Sequence, residues 1–535
     1  MFLEVSFKAR PRFSRTTARQ LTWCLLVALL FIFRNGYQFN CYDQEEHLPL
    51  VYKLADPSLY PHDYFVQPAS SHVMVRTCYA KTVYFFSKIF GVETACFLLF
   101  IACLTFTGFF ILKIAERWYG AGPGSWLAPL LILLLYNAWT IGGNPVMDLQ
   151  LLGSTFSVMF CLAAIWRFTD ERYGTAGMLL GIASMFQVLM GLHLVLVLAF
   201  VLFFISGKTS LKDIRKLVLF FILFASPILV PVLYRQFFTH GAQDAALANY
   251  ALINFRQAHH YLPRVFPAAA YVHHAALLLL AAVILLLTKT GNRRFFFFFT
   301  GIIIAGCIVY ALCFELWQVP FVAKTQWFKT TVWTTICAGI VMAGFAGQLL
   351  ERFVALQAIK QQWVQRTLLL SCTLLLLHIT NQPFFTRASW LGRYMVGKYP
   401  HADITKMHEW IRYHTPKDAI ILSFPHDASL LCEARRSTPV TYKAIIHEPA
   451  LIEKWYRDFT RIYSIPDTPG RLNVPRRDFM ATAAKAYDTM GNKSFSVRCR
   501  FDYRIAESGT PGVVTDSADI IHREGNYVLL KNSIR

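Results

Sequence analysis

Ionisable side chains are concentrated in one short stretch, residues 40–65, which directly follows the first long apolar segment of the chain. The stretch reads NCYDQEEHLPLVYKLADPSLYPHDYF. Its acidic and imidazole groups are Asp43, Glu45, Glu46, His47, His62 and Asp63. Charged groups beside a hydrocarbon layer are costly unless they bind an ion or take part in proton transfer. This stretch is therefore the first candidate for a functional site.

A carboxylate in this position can abstract the proton of an acceptor hydroxyl group. Asp43 is the best candidate base, because it is the first acid after the apolar segment and is held closest to it. Glu45 and Glu46 are second choices, and His47 or His62 could assist or could bind a metal with the acids. The alternative interpretation is a solvated loop whose charges mark a membrane edge.

Later in the chain, the sequence FRQAHHYLP contains Arg256, His259 and His260. Arginine is a permanent cation that can bind a phosphate through two parallel hydrogen bonds. The two histidines offer hydrogen-bond donors or a metal ligand, but adjacent side chains point in different directions, so joint metal binding by this pair is a weak hypothesis. The alternative is a surface loop without a role.

A third stretch, FVAKTQWFKT, contains Lys324, Gln326, Trp327 and Lys329 immediately before another apolar segment. Cations at the level of lipid headgroups suit a lipid phosphate, and tryptophan suits the membrane interface. The alternative is interfacial anchoring alone. Asp148, in the sequence GGNPVMDLQ, is a further acid that could line the same site.

The composition is that of an integral membrane protein. Of 535 residues, 55% are hydrophobic, only 16% are charged and 46 are phenylalanine, which excludes a soluble globular protein. The formal net charge is +21, but lysine and arginine lie mainly in short gaps between apolar runs. Such gaps suit loops that face anionic lipid headgroups, so the charge does not indicate nucleic-acid binding.

Hydropathy predicts about eleven transmembrane helices of ~20 residues each. They lie near 18–36, 93–113, 126–142, 150–166, 174–189, 190–206, 217–237, 271–288, 295–315, 330–349 and 367–384. Connections rich in lysine and arginine alternate along the chain with connections that have few of them. This is the pattern that the positive-inside rule requires if the N-terminus is cytoplasmic. Four pieces then lie on the outer side, namely 37–92, 238–270, 316–329 and everything after 385.

These patterns predict a mostly α, polytopic helical membrane protein with a small C-terminal α/β extracytoplasmic domain. The predicted domains are 1–385, which includes the outer loop 37–92, and 386–535. In the second domain we expect helices at 403–414 and 448–463 and strands at 419–424, 439–442 and 526–531. Arg435 and Arg436 are the cations there that could contact an acceptor.

The twelve cysteines are scattered, and no CxxC pair or zinc-site spacing is present. Cys41 and Cys78 would both lie outside and could pair, although free thiols are favoured. No metal site can be assigned from the spacing, and a divalent metal stays open as a cofactor.

The first outer loop resembles that of a bacterial branch of the GT-C superfamily of membrane glycosyltransferases. The matching residues are Asp43, Gln44, His47, Leu48, Pro49, Asp56, Pro57, Leu59, Tyr60, Pro61 and Asp63. The Arg256, His259 and His260 stretch is similar to a pattern of the same branch, as is the stretch from Gln326 to Lys329, where arginine is usual at position 329. Related chains tend to carry a histidine where this one has Gln187.

The resemblance implies a GT-C-like membrane region in which Asp43 is the catalytic base and the sugar donor is a polyprenyl-phosphate lipid. It implies a lipid, glycan or protein acceptor and a location in the bacterial inner membrane. On this interpretation Asp63, Arg256, His259, His260, Lys324, Gln326 and Lys329 bind substrate.

Two alternatives stay open. One is a transporter or flippase of a lipid-linked or anionic substrate, although such proteins often contain inverted repeats and place ionisable residues within the spans. The other is a receptor or assembly protein that keeps the fold without the chemistry.

Overall fold

A computed structural model describes residues 15–206, 211–238, 242–288, 292–356, 370, 403–467, 469–472, 478–514 and 519–533. The predicted span 367–384 lies outside these residues except for position 370. The predicted domain boundary at 385/386 also lies outside them.

Long apolar helices dominate the first part of the chain. Within the described residues, seven helices are long and apolar enough to cross a membrane. They are Arg15–Asn35, Val92–Tyr119, Val188–Ile205, Leu211–Gln236, Ala268–Thr288, Arg293–Glu315 and Pro320–Phe353. Each exceeds or approaches the ~20 residues that a hydrocarbon core requires. The chain is therefore a multi-pass integral membrane protein, as its composition predicts.

Three apolar segments that the sequence predicts as full spans form shorter helices. These helices are Pro123–Leu130, continued by the π-helix Leu131–Leu135, then Gly153–Thr169 and Tyr173–Phe186. The last two contain 17 and 14 residues, fewer than the ~20 expected of a span. Gln187 ends the last of them with an extended backbone, φ −147° and ψ 98°. Of the eleven predicted spans, seven coincide with the long helices, three with these shorter helices, and one lies outside the described residues.

The connections on the side of the first loop are themselves helical. The first loop contains helices Gln44–Ala55, Val66–Ser70 and Thr77–Phe90. The second contains helices Ala245–Tyr250 and Ala258–Tyr261, the π-helix Ala251–Arg256 and the 3-10 helix Pro263–Val265. The third is the first part of the long segment Pro320–Phe353, which is not one continuous helix: it contains helix Pro320–Lys324 and the 3-10 helix Trp327–Thr330, after which helix Thr331–Leu356 begins. These short elements hold the candidate site residues.

The C-terminal unit is an α/β structure, as the sequence predicts. Its four strands are β1 Ile421–Leu422, β2 Tyr503–Glu507, β3 Ile520–Glu524 and β4 Tyr527–Lys531, in the order β1-β2-β4-β3. β1 is parallel to β2, and the other pairs are antiparallel. Its helices are Asp403–His414, Ser429–Glu433, Pro449–Ile462, Phe479–Thr489, Asn492–Ser496 and Pro511–Val514.

Some strand predictions for this unit are wrong. The segment 439–442 is irregular rather than extended, because an isolated bridge between Ile420 and Ser437 is the only pairing near it in the described residues. The sequence analysis also does not predict β2 or β3. β3 alternates between half-buried and exposed positions at the sheet edge, and such a strand has a weak hydrophobic pattern.

The C-terminal unit packs directly on the first two loops. The hydroxyl groups of Tyr60 and Tyr64, both in the first loop, donate to the carbonyls of Leu431 and Ala444 at 2.6 Å each. Leu431 and Ala444 belong to the same apolar core as the membrane helices, and a second core joins residues 247–262 to the C-terminal unit. The unit is therefore fixed to the membrane part by shared cores.

A buried histidine lies inside the C-terminal unit. The Nε2 atom of His408 is 3.0 Å from Asp427 Oδ2, and its Nδ1 atom is 2.9 Å from Glu433 Oε2. Burial alone would lower the pKa of His408, but the charges of Asp427 and Glu433 and the hydrogen bonds to them raise it to about 10. Protonated His408 therefore contributes stability that is complete below pH ~6.5, its unfolded pKa, and is lost as the pH rises towards 10.

We predict that His408→Gln destabilises the protein at pH 7 by about 3–5 kcal/mol, because the buried carboxylate of Asp427 and the half-buried carboxylate of Glu433 lose their cation. Thermal unfolding in detergent measures the effect. The melting temperature of the wild type should fall between pH 7 and pH 10, and that of the variant should fall less. His414→Gln, at an exposed position of the same helix, is the matched control. Equal melting temperatures for the two variants would contradict the prediction.

Candidate active site

Asp43 lies at the end of a strained turn. The backbone of Asn40 and of Tyr42 is left-handed, with φ 57° and φ 45°. The Asn40 amide donates to Gln44 Oε1 at 2.7 Å, and the Gln44 amide donates to the Cys41 carbonyl at 3.1 Å. Left-handed residues other than glycine are costly and occur where the surrounding structure requires them. The turn thus fixes the start of helix Gln44–Ala55 and with it the position of Asp43.

The Asp43 carboxylate is not used for capping. Asp43 occupies the N-cap position, where aspartate commonly accepts a backbone hydrogen bond, yet its side chain makes no capping bond. The side chain is 59% exposed. A solvent-accessible carboxylate held at a fixed place is available to an acceptor hydroxyl group.

The nearest cation to Asp43 comes from the C-terminal unit. Lys443 Nζ is 3.4 Å from Asp43 Oδ1 and 3.9 Å from Glu45 Oε2. The Lys443 carbonyl accepts hydrogen bonds from Arg256 Nε at 3.1 Å and Nη2 at 2.8 Å, which fix its backbone. The sequence analysis does not identify Lys443. It lies in an irregular segment without a motif, and only tertiary packing brings it to the first loop.

Asp43 is the centre of a group of electrostatically coupled ionisable residues that we call the Asp43 cluster. Its other members are His47, Asp148, Arg256, His259, His260, Lys329 and Lys443. Loss of hydration by itself would raise the pKa of Asp43. The positive charges around the carboxylate, above all that of Lys443, outweigh this effect and lower the pKa below its usual value. Asp43 is therefore ionised at neutral pH.

A glycine turn brings the second and third loops together. Gly142 and Gly143 have φ 86° and φ 75°, a conformation that favours glycine. A Cβ atom on Gly142 would lie 3.0 Å from the Phe328 backbone and 3.2 Å from the Lys329 amide nitrogen. The Gly142 carbonyl is 3.3 Å from His260 Nδ1. The turn is thus the point where His260 and Lys329 approach each other.

The same segment brings Asp148 to the first loop. The Gln38 amide donates to the Leu149 carbonyl at 2.8 Å, and Gln44 Nε2 donates to the Leu151 carbonyl at 3.1 Å. Burial and the negative charge of Asp43 raise the pKa of Asp148 to about 7, although the Ser154 hydroxyl and the Lys329 charge act against them. Asp148 therefore titrates near neutral pH.

Glu46 has a different role from the one predicted for it. It is 5% exposed and forms ion pairs with Arg76 and with Arg256, the second through Nη2 at 3.1 Å. Both of its oxygens are engaged, so Glu46 is not available as a base. Arg256 is in turn held by Glu46 and the Lys443 carbonyl, and it joins these segments; its phosphate binding stays a prediction.

Glu45 and His47, which follow Asp43 in the sequence, are mainly uncharged at neutral pH. Burial, followed by the nearby negative charges, raises the pKa of Glu45 to about 8, in spite of the Lys443 charge. Burial and the Arg76 charge lower the pKa of His47 to about 4. The Nδ1 atom of His47 is 2.6 Å from the Asp43 carbonyl, and its ring meets the edge of Tyr79 at 4.8 Å. His47 therefore fixes the Asp43 backbone, and Glu45 is mostly protonated at neutral pH.

The paired histidines of the second loop are also neutral. Burial and the positive charge of Arg256 lower the pKa of His259, and burial and the charge of Lys329 lower the pKa of His260 well below its usual value. Their ring centroids are 4.1 Å apart. As neutral rings they can donate hydrogen bonds to an anion beside Asp43.

Several predicted site residues lie apart from the Asp43 cluster. Asp63 is buried and accepts hydrogen bonds from the amides of Phe65, Val66 and Thr438 at 2.7 to 3.0 Å. Burial raises its pKa to about 6 in spite of these bonds. Its side chain joins the start of helix Val66–Ser70 to the C-terminal unit, and its substrate contact stays a prediction.

Lys324 and Gln326 are also outside the cluster. Lys324 is half-buried and makes no ion pair within the described part of the chain. Gln326 is buried with a left-handed backbone at φ 49°, and its side chain interacts with the Tyr261 hydroxyl. His62 is exposed, and its backbone amide donates to Ser437 Oγ at 3.2 Å. Of the third loop, only Lys329 joins the cluster.

The arginines expected to contact an acceptor are engaged elsewhere. Arg436 is buried and donates to the Arg412 and Thr415 carbonyls at 2.7 Å each, which caps helix Asp403–His414. The Arg435 guanidinium lies 3.9 Å from the ring centroid of Tyr52. The cysteines Cys41 and Cys78, which could have formed a pair, are free thiols.

Residues 402–462 match the model of a domain of unknown function, DUF6798, a segment that contains Lys443. No curated protein sequence matches the chain. Among solved structures, the chain is similar to the apo form of the oligosaccharyltransferase of Archaeoglobus fulgidus, with a TM-score of 0.45 and 10% identity over 93% of this chain and 70% of that one. A TM-score below 0.5 does not establish a shared function.

We predict that Glu46→Gln lowers the free energy of unfolding by about 3–5 kcal/mol, because two buried arginines lose their shared carboxylate. Glu45→Gln at the neighbouring position is the control and should have little effect at pH 7, because Glu45 is already mostly protonated. Thermal unfolding of both proteins in detergent measures the difference. A Glu46→Gln protein as stable as Glu45→Gln would show that the ion pairs do not hold the loops together.

Proposed function

We propose that the chain is a membrane glycosyltransferase that transfers a sugar from a polyprenyl-phosphate donor to an acceptor hydroxyl group, with Asp43 as the general base. The observation that carries this proposal is the exposure, ionisation and surroundings of the Asp43 carboxylate. It is an exposed, ionised carboxylate surrounded by cations and neutral donors that come from separate segments of the chain. We place the reaction on the non-cytoplasmic side, as the distribution of basic residues suggests.

Asp43 suits the base for both geometric and electrostatic reasons. A base must approach the hydroxyl proton to hydrogen-bond distance and must be ionised when it does so. Asp43 meets the second condition because Lys443 and its neighbours lower its pKa, and its exposure leaves room for an acceptor. The other two acids nearby are less suitable. Glu45 is mostly protonated, and both carboxylate oxygens of Glu46 are paired with arginines.

The leaving phosphate needs positive charge nearby, because its own negative charge increases during the reaction. As the bond between the sugar carbon and the phosphate oxygen breaks, its electron pair goes to that oxygen and the phosphate gains one negative charge. The acceptor oxygen forms the new bond and its proton passes to Asp43. Lys443 and Lys329 are the lysines that face Asp43, and His259 and His260 can donate hydrogen bonds to the same anion.

The position of the cluster suits a lipid-linked donor. Lys329 lies two residues before the start of helix Thr331–Leu356, and Asp43 lies eight residues after the end of helix Arg15–Asn35. The cluster therefore lies next to the ends of apolar helices. A phosphate at the headgroup level of the bilayer could reach it while its hydrocarbon tail stays among the lipids.

We predict that Asp43→Asn lowers kcat by about 10²–10⁴-fold, because the amide cannot accept the acceptor proton. The assay uses protein in lipid nanodiscs, a panel of polyprenyl-phosphate hexoses and a lipid extract as acceptor, and it measures release of polyprenyl phosphate. Glu45→Gln is the control and should retain turnover. Turnover that Asp43→Asn leaves unchanged would refute the assignment of the base, and movement of the intact donor across the bilayer without release would favour a flippase.

We predict that donor affinity falls as the pH rises through about 7. Asp148 has a raised pKa of about 7 and is neutral below that pH, so above it a second carboxylate charge repels the phosphate. The KM for the donor should rise between pH 6 and pH 8, while kcat, which depends on ionised Asp43, should stay nearly constant. Asp148→Asn should reduce this rise in KM and leave the smaller contribution of Glu45, whose pKa is about 8. A KM that rises as steeply in this variant as in the wild type would contradict the role of Asp148.

A further inference from the structure

A cavity of about 320 Å³ lies between the start of helix Tyr173–Phe186 and the first turns of the span Leu211–Gln236. Its volume is at the lower end of the range for small-molecule pockets, about 300–1,000 Å³. The lining combines charged with apolar and aromatic side chains, among them Glu171, Arg172 and Lys216 on one hand and Tyr173, Met178 and Phe220 on the other. None of these residues belongs to the Asp43 cluster.

The cavity lies at the end of the membrane helices that is remote from Asp43. Arg235, near the other end of the same span, pairs with Glu448 of the C-terminal unit, with Nη1 3.4 Å from Oε2. Lys216 precedes Arg235 in that helix by about 28 Å, at ~1.5 Å per residue. This length is close to the thickness of a hydrocarbon core, about 30 Å. The cavity is therefore at headgroup level on the side opposite the proposed active site.

The walls of the cavity are held by close helix packing. A Cβ atom on Gly177 would overlap the Leu217 carbonyl, so only glycine allows the two helices to approach this closely. The Phe220 ring lies against the backbone of Gly174, 3.5 Å from the position that a Cβ atom would occupy there. The space between Tyr173 and Phe220 is thus fixed by two packed helices.

The charges that line the cavity sum to those of a zwitterion. Lys216 Nζ is 3.3 Å from Asp213 Oδ1, so this cation is already compensated. Glu171 and Arg172 are exposed and form no ion pair within the part of the chain that the structure describes. An arginine binds a phosphate through two parallel hydrogen bonds, and a carboxylate accepts strong hydrogen bonds from an ammonium group. One free cation beside one free carboxylate suits a ligand that carries both a phosphate and an ammonium.

The helix beside the cavity also offers a surface for hydrocarbon. In the span Leu211–Gln236, 22% of the apolar window is buried, the lowest share among the seven long spans of the described residues. Its exposed face begins beside Phe220 and includes Leu219, Ile222, Leu223 and Val230. Acyl chains attached to a headgroup in the cavity would lie along this face. A soluble zwitterion would use the charges and leave this surface uncovered.

We propose that the cavity binds the headgroup of phosphatidylethanolamine, with the phosphodiester on Arg172, the ammonium on Glu171 and the acyl chains along the exposed face of the span Leu211–Gln236. A choline headgroup has no N–H to donate to Glu171, and a phosphatidylglycerol headgroup has no cation to compensate that carboxylate. The site is separate from the proposed glycosyl transfer, so its occupancy is measured without turnover and holds whether or not the chain transfers a sugar.

Native mass spectrometry of the delipidated full chain in detergent tests the proposal. The chain is titrated with phosphatidylethanolamine, phosphatidylcholine and phosphatidylglycerol that have identical acyl chains. Phosphatidylethanolamine should occupy one saturable site about 3–10-fold more tightly than the other two, because only its ammonium bonds to Glu171. An equal concentration of soluble glycerophosphoethanolamine should not displace it. Equal, unsaturated binding of the three lipids, tighter binding of phosphatidylglycerol, or displacement by the soluble headgroup would overturn the proposal.

Variants separate the two polar contacts. Glu171→Gln should abolish the preference over phosphatidylcholine, whereas Arg172→Gln should weaken the binding of both lipids by about tenfold. Lys212→Gln removes an exposed cation of the same span that is outside the cavity lining, and as the matched control it should keep the wild-type order of affinities. A lipid preference that Glu171→Gln leaves unchanged would refute the ammonium contact. A dimer that binds no phosphatidylethanolamine would show that a second copy covers this face instead.

Discussion

The buried ion pairs of Glu46 are the constraint on which the proposed site depends. Glu46 lies in the first loop, Arg76 follows in the same loop, and Arg256 lies in the second loop. Desolvation of these groups is costly, and the charges compensate it only while all of them stay together. Because Arg256 also holds the Lys443 carbonyl, the same contact places Lys443 beside Asp43. One buried network thus positions the base and its nearest cation.

Three acids within four residues of sequence take three different states because their surroundings differ. Asp43 is exposed among cations and stays ionised, Glu45 is half-buried near other acids and holds its proton, and Glu46 is buried against two arginines. The helix separates them, since successive side chains point about 100° apart around its axis. A sequence therefore names the candidate acids, but only the fold determines which one is free to act.

The sequence predicts the parts of the molecule that depend on local pattern. Apolar length predicts the membrane helices, and the position of Asp43 directly after the first of them marks the candidate site. The contacts that local pattern does not predict are those with distant segments of the chain. Asp63 and Arg256 have the chemistry of ligand-binding groups but are satisfied by Thr438 and Lys443 from the C-terminal unit. Lys443 itself carries no motif, so no local signal could have identified it.

The C-terminal unit contributes residues to the proposed site. Besides Lys443, it contributes Glu433, whose Oε1 atom accepts a hydrogen bond from Asn40 Nδ2 at 3.2 Å while its Oε2 atom lies against buried His408. Asn40 begins the strained turn that leads to Asp43. The charge network inside the C-terminal unit is therefore connected through one side chain to the backbone that holds the proposed base. A strained turn persists only when its surroundings enforce it, so the placement of Asp43 depends on the docked C-terminal unit.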